Sequence, residues 1–149
     1  MILSMIKSAL LVLLLTVAAT AKGLQMKDLP PAVQKTVQDN LKGGEIKNIS
    51  KEKEKGVTQY EVETMVNGKH RDFNVDDKGT MVAMEEEVDI ASIPAPARAA
   101  IEKKAAGGKL GMIETVVKGN TTLYEGAFTS KSGKKGAVLV KADGTETKD

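Results

Sequence analysis

Apolar residues at every fourth position predict two helices. They form two sets with the same spacing: Val33, Val37 and Leu41, then Ala97, Ile101 and Ala105;. Asp28 and Ser92 each stand two residues before a proline, so we expect them to cap the helix N-termini with that proline in the first turn. The pairs Gly43-Gly44 and Gly107-Gly108 predict the two helix ends, because glycine adopts the left-handed C-cap conformation without strain.

Stretches of alternating apolar and polar residues follow each predicted helix and indicate β-strands. After the first helix they span residues 46–54, 58–66, 69–75 and 80–87. After the second they span 110–118, 121–129 and 134–141, with a short last strand beyond Gly144. The connections are glycine-containing turns, of which Asn67-Gly68 is the strongest hairpin signal. A helix followed by an antiparallel meander, twice over, predicts an α+β fold.

The two halves of the chain match when one is shifted along the other. At an offset of 64 residues, Leu29-Pro30 falls on Ile93-Pro94 and Tyr60-Glu61 falls on Tyr124-Glu125. Beyond that point the offset is 65, as one residue inserted into a turn would produce;. We therefore predict a tandem duplication, with one repeat over residues 22–88 and the other over 89–149.

Residues 1–21 are typical of an export signal. Lys7 supplies a positive charge, an apolar run follows from residue 8 to 19, and Ala19-Thr20-Ala21 has the small-residue pattern of a cleavage point;. The alternative is a membrane anchor, but a bilayer span needs about 20 apolar residues. We expect cleavage after Ala21, a periplasmic or secreted chain, and no membrane partner once the signal is removed.

Composition excludes several classes of function. The 149 residues include no Cys, no Trp and one His, and the formal net charge is +2. Disulfides, thiolate metal sites and cysteine nucleophiles are therefore absent, and low charge with few aromatic residues disfavours a nucleic-acid partner. No Ser-His-Asp set, Gly-x-Ser-x-Gly motif or phosphate-binding loop is present;. We predict that the chain is not an enzyme and needs no cofactor.

One weak metal motif has a simpler explanation. Residues 74–85 partly match a calcium-binding loop, but Lys78 occupies a position where a carboxylate ligand is needed;. A β-turn at residues 77–79 accounts for the same residues, so no metal site is predicted.

Strand alternation divides the side chains between two faces. We expect these to face the helices: Tyr60, Val62, Val66, Phe73 and Val75, and then Tyr124, Gly126, Phe128, Val138 and Val140. The opposite, open face holds the candidate partner-binding residues: Glu61, Glu63, His70 and Asp72, and then Glu125, Ala127, Thr129, Ala137 and Leu139. The first set is typical of a solvated face. In the second, Ala127, Ala137 and Leu139 are expected to form a small apolar strip.

The order Leu-Pro, Gly-Gly-x-Ile-x-x-Ile, Tyr-Glu-Val-Glu, Asn-Gly-Lys and Phe-x-Val-Asp resembles the PepSY-like family. These are exported bacterial proteins grouped structurally with β-lactamase inhibitory protein. The resemblance covers residues 29–87 and 93–144, and residues 60–63 and 73–76 are its most specific parts. Gly126 departs from the family pattern, which has a hydrophobic residue there. The resemblance implies two helix-plus-four-strand repeats that form one curved sheet with helices on one face, and a non-enzymatic binding role in the envelope.

Two classes of function fit these observations. The first is a module that binds or inhibits another envelope protein through the open sheet face. The second is a periplasmic sensor or binding protein for a small ligand or cation that uses Glu61, Glu63, His70 and Asp72. β-Lactamase inhibition itself does not transfer, because a fold does not determine a function and this chain lacks spare aromatic residues and Cys;.

Overall fold

The computed structural model describes residues 23–54 and 56–148. The predicted export signal and its cleavage point lie outside these residues. In the described part of the chain, no helix has the length and apolar character that crossing a membrane requires. The chain forms two compact units: an N-terminal unit of residues 23–87 with 115–121, and a C-terminal unit of residues 88–114 and 122–148.

The N-terminal unit places one helix against an antiparallel sheet. A 3-10 turn, Met26–Asp28, leads into helix α1, Pro31–Asn40. The strands are β1 Glu45–Glu54, β2 Val57–Val66, β3 Lys69–Asp76 and β4 Met81–Glu87. Each strand pairs antiparallel with the next, as hairpins with short turns require;.

The core of the N-terminal unit lies between α1 and the sheet. Val33 and Val37 of the predicted helical stripe are fully buried. They pack with the inward residues of the strands: Ile49, Tyr60, Val62, Phe73 and Val75. The predicted parity of β2 and β3 is therefore confirmed.

The second half of the chain has the same order of elements. A 3-10 turn, Ile90–Ser92, is followed by α2 Ala95–Lys104, β5 Lys109–Lys118, β6 Thr121–Thr129, β7 Lys135–Val140 and β8 Glu146–Thr147. These elements form the C-terminal unit, except for the end of β5 and the first residue of β6, which belong to the N-terminal unit. Strands β6, β7 and β8 pair antiparallel. The buried core contains Ala97, Ile101, Ile113, Val138 and Val140, and Tyr124 and Phe128 pack against it. The predicted α+β class and strand positions are confirmed for the described residues.

The predicted N-caps are wrong. Pro30 and Pro94 occupy the N-cap positions of α1 and α2. Asp28 Oδ2 instead accepts a hydrogen bond from the backbone N–H three residues earlier (2.8 Å), within the preceding turn. Ser92 Oγ donates to the carbonyl three residues earlier (2.6 Å). Both side chains therefore stabilise the 3-10 turn, and the intervening Leu-Pro or Ile-Pro step separates them from the helix.

The glycine pairs end both helices and permit close packing. The first glycine of Gly43-Gly44 has φ +75°, and the first of Gly107-Gly108 has φ +78°. A Cβ on the second glycine of the first pair would lie 2.8 Å from the carbonyl oxygen of Met65. In the second pair it would overlap the carbonyl oxygen of Thr129. Each loop after a helix thus packs directly on a hairpin of its own unit.

Candidate functional site

Glu61 and Glu63 lie on the open face of β2, as predicted, and both are half-buried. The register places Ser50 of β1 opposite Glu61 and Asn48 opposite Glu63. Accordingly, Ser50 Oγ donates to Glu61 Oε2 (3.3 Å) and Asn48 Nδ2 donates to Glu63 Oε1 (3.1 Å). Both carboxylates are held by polar neighbours on the same face.

His70 and Asp72 lie on the open face of β3. Asp72 Oδ1 accepts a hydrogen bond from the Thr64 backbone N–H (2.8 Å), and His70 Nδ1 is 3.9 Å from Asp72 Oδ2. The His70 backbone N–H donates to Glu87 Oε2 (3.0 Å). The structure therefore brings the four predicted residues of this unit onto one polar face, together with further carboxylates.

Two carboxyl groups on this face, those of Glu61 and Asp72, have a raised pKa. Burial raises the pKa of Glu61 above its ordinary value, and the nearby charges of Glu52 and Glu63 raise it further. Burial also raises the pKa of Asp72, although the Thr64 N–H and the charge of His70 act in the opposite direction;. Within residues 23–54 and 56–148, no three His, Cys, Asp or Glu side chains are grouped so that they could hold a metal ion.

The turn after β3, which partly matches a calcium-binding loop, is closed by the side chain of Asp76. Asp76 Oδ1 accepts hydrogen bonds from the backbone N–H groups of Lys78 (3.0 Å) and Thr80 (2.8 Å). These bonds lower the pKa of Asp76. The predicted β-turn interpretation agrees with this geometry.

The open face of the C-terminal unit is different in character. The register pairs Ala127 with Ala137 and Glu125 with Leu139. Ala137 is exposed and Ala127 and Leu139 are half-buried, so these three residues form one contiguous apolar strip. Gly111 of β5 adds no side chain, and a Cβ there would lie 3.1 Å from Ala127 Cβ.

The rim of the strip agrees only in part with expectation. Thr129 is half-buried and lies opposite Lys135, whose side chain is exposed. Glu125 differs from the expected exposed position, since it is only 6% exposed. It lies directly opposite Leu139 on the same face, and a polar residue packed there offers a partner little accessible surface. The accessible rim of the strip is therefore formed by Thr129 and Lys135, and Glu125 contributes little to it.

The prediction missed Arg71, the buried charged residue of the N-terminal unit. Its side chain is 5% exposed and forms an ion pair with Glu86. Its Nε also donates to the Asn40 carbonyl at the end of α1 (3.3 Å), and Thr64 Oγ1 donates to the Arg71 carbonyl. Burial lowers the pKa of Arg71. The alternation of β3 could have predicted that Arg71 points inward, because it lies two residues before Phe73 and therefore on the same face.

Comparison with known proteins identifies a class of fold. No protein-family model and no curated protein matches the chain. Solved structures do match, at sequence identities that show similarity of fold alone. The fold is similar to that of DUF2874 family and BLIP-like proteins.

Three solved structures illustrate the similarity. A DUF2874 family protein from Bacteroides ovatus ATCC 8483 has a TM-score of 0.61 and 15% identity, covering 81% of this chain and 86% of its own. A predicted periplasmic protein from Bacteroides eggerthii DSM 20697 has a TM-score of 0.65 and 14% identity, covering 80% and 86%. A BLIP-like protein from Bacteroides fragilis NCTC 9343 has a TM-score of 0.56 and 16% identity, covering 80% and 83%.

Proposed function

We propose that this chain is an exported, non-catalytic binding module of the PepSY-like type that binds or inhibits another protein of the cell envelope. The observation that carries the proposal is the apolar strip of Ala127, Ala137 and Leu139 on the open face of the C-terminal unit. The opposite face of these strands is occupied by the core and α2. The open face is therefore the surface that remains for a partner.

The strip suits contact with a protein loop or strand. Two of its three side chains are alanine methyl groups, so a partner backbone can approach the sheet closely at Ala127 and Ala137, and Thr129 and Lys135 provide a polar rim;. Tyr124 and Phe128 pack against the core and cannot serve as anchors. Without an aromatic anchor we expect a modest affinity, about −8 kcal/mol or micromolar.

Export and duplication belong to the same proposal. Export is supported by the signal pattern of residues 1–21. One solved structure of similar fold is a predicted periplasmic protein. The duplication is supported by the order of elements, which is the same in both halves of the chain, and by the aligned Pro, Gly and Tyr positions.

The test is co-purification from the native envelope followed by a binding assay with the captured protein. Leu139→Arg should weaken binding at least tenfold while lowering the melting temperature by no more than a few degrees, because Leu139 is half-buried on the open face. The matched control is Val57→Arg, the same change at a residue that is 47% exposed in the N-terminal unit. It should leave binding unchanged.

Three results would contradict parts of this proposal. If the Leu139→Arg variant unfolds, Leu139 is a core residue and not part of an open surface. If the Leu139→Arg variant folds and binds normally, the binding surface lies elsewhere, and the hairpin at Asn67-Gly68 is the next candidate. A rise in melting temperature with divalent cations, without any protein partner, would favour the sensor function at Glu61, Glu63, His70 and Asp72.

A further inference from the structure

The C-terminal unit carries a cluster of lysines from two distant segments. Residues 103–110 and 129–135 contain six lysines and no Asp or Glu. We call this surface the basic end, and its members are Lys103, Lys104, Lys109, Lys131, Lys134 and Lys135. All six are exposed. The overall net charge of +2 conceals this concentration.

Tertiary packing brings the two segments together. The loop after α2 lies against the hairpin between β6 and β7, where a Cβ on Gly108 would overlap the Thr129 carbonyl oxygen. A Cβ on Gly107 would lie 3.8 Å from Lys131 Cδ. The hairpin is closed by a hydrogen bond from the Ser130 N–H to the Lys134 carbonyl (2.8 Å). The helix end and the hairpin therefore present their lysines side by side.

Part of the charge of the basic end is compensated by a neighbouring acidic group. Lys104 Nζ lies 2.9 Å from Glu146 Oε1, which compensates part of its charge. Glu102 precedes the cluster by one residue on α2. Lys103 and Lys104 also lie at the C-terminus of α2, where cations are favoured by the helix dipole. That effect does not explain the three lysines of the hairpin.

The N-terminal unit shows that the fold does not require this charge. Its loop after α1 packs on the hairpin between β2 and β3 in the same way, with Gly44 against the Met65 carbonyl. Yet the aligned residues, 39–46 and 65–70, contain two acids, two lysines and His70. The same structural position is therefore neutral in one unit and strongly basic in the other.

We propose that the basic end binds the phosphate headgroups of an anionic phospholipid membrane surface. Lysine is a flexible point charge, which suits a diffuse anionic surface better than a shaped pocket. This proposal departs from the expectation from sequence that the chain has no membrane partner once the signal is removed, because the two lysine segments meet only in the tertiary structure. This proposal does not depend on the protein partner proposed above, although Lys135 borders both surfaces.

The test compares binding of the exported protein to vesicles of phosphatidylcholine alone and of phosphatidylcholine with phosphatidylglycerol. We expect binding only to the second kind, and weaker binding as salt is raised. The variant Lys131→Gln/Lys134→Gln/Lys135→Gln should lose at least tenfold in affinity. The control Lys27→Gln/Lys78→Gln/Lys141→Gln removes the same charge from exposed lysines elsewhere and should lose less than twofold. Both variants have the same N-terminus, so any contribution of the signal segment is common to them.

Several outcomes would overturn the proposal. Equal losses in the two triple variants would show an effect of net charge alone. Equal binding to both kinds of vesicle, or no binding to either, would exclude anionic headgroups. Tighter binding to polyglutamate than to the anionic vesicles would make an acidic protein the partner of the basic end. Thermal melting of both variants checks that the fold is intact.

Discussion

Gly126 and Ile101 are expected to be energetically coupled. Gly126 lies on the helix-facing side of β6, and a Cβ there would overlap Ile101 Cγ2 and lie 3.2 Å from Ile101 Cγ1. The aligned positions of the N-terminal unit hold Val62 and Val37, which are both fully buried. Val37 of the helix is smaller than Ile101 and leaves room for the side chain of Val62 on the strand. In the C-terminal unit the larger Ile101 takes that room, which explains why position 126 holds a glycine where the aligned position holds Val62.

The expected free energies follow from two competing effects. If alanine fitted at position 126, it would stabilise the protein by about 0.4–1 kcal/mol through the entropy of the unfolded chain. Overpacking against Ile101 costs about 1–3 kcal/mol, so we expect Gly126→Ala to be destabilising by roughly 1–2 kcal/mol. Ile101→Ala should cost about 2–5 kcal/mol because the side chain is fully buried;.

The double variant distinguishes packing from a general loss of stability. The methyl group added at position 126 fills part of the space that Ile101→Ala leaves. We therefore expect the double variant to be more stable than the sum of the single effects by about 1–2 kcal/mol. Urea unfolding of the four proteins measures this coupling. The control cycle combines Ile101→Ala with Gly111→Ala, whose Cβ would meet Ala127 instead, and it should be additive.

Two results would refute this reasoning about the Gly126 site. The first is a stabilising effect of Gly126→Ala, which would mean that the strand or helix shifts without cost. The second is a coupling between positions 101 and 126 below about 0.5 kcal/mol, which is the usual error of additivity.

Three further predictions concern the N-terminal unit. Tyr60→Ala should destabilise the protein by about 3 kcal/mol or more in denaturant melts, since Tyr60 is 6% exposed;. A loss below about 0.5 kcal/mol would contradict its core position. Glu86→Gln should cost about 1–2 kcal/mol, because it leaves the buried Arg71 without its anion although Glu86 itself is 41% exposed;. An unchanged urea midpoint would contradict this. Burial raises the folded-state pKa of Glu61, so the folded protein binds a proton more tightly than the unfolded chain. The contribution of Glu61 to the free energy of unfolding should therefore rise as the pH falls through the folded-state pKa. It should level off below the ordinary pKa value of 4.5;. Glu61→Gln should flatten this part of the stability profile between pH 7 and that value, and an unaltered profile would disprove the assignment.

The sequence alone determined the positions of the helices and strands and, for β2, β3, β6 and β7, the side that faces the core. Spacing of four placed Val33 and Val37 in the helix, and alternation placed Tyr60 and Phe73 inward, because these periods follow from the geometry of helix and strand;. The glycine-containing turns determined where the chain reverses, since positive φ is accessible to glycine at little cost;.

The tertiary structure alone decided which distant groups meet. Arg71 is buried because the end of α1 and Glu86 of β4 both reach its guanidinium, and alternation does not reveal such partners. Glu125 has the predicted parity, but its burial depends on the packing of neighbouring strands. The lysines of the basic end are more than twenty residues apart in two segments, and only the packing of Gly108 on the hairpin places them on one surface. Local periodicity specifies the face of the strand to which each side chain points. Contacts between elements depend on how those faces pack.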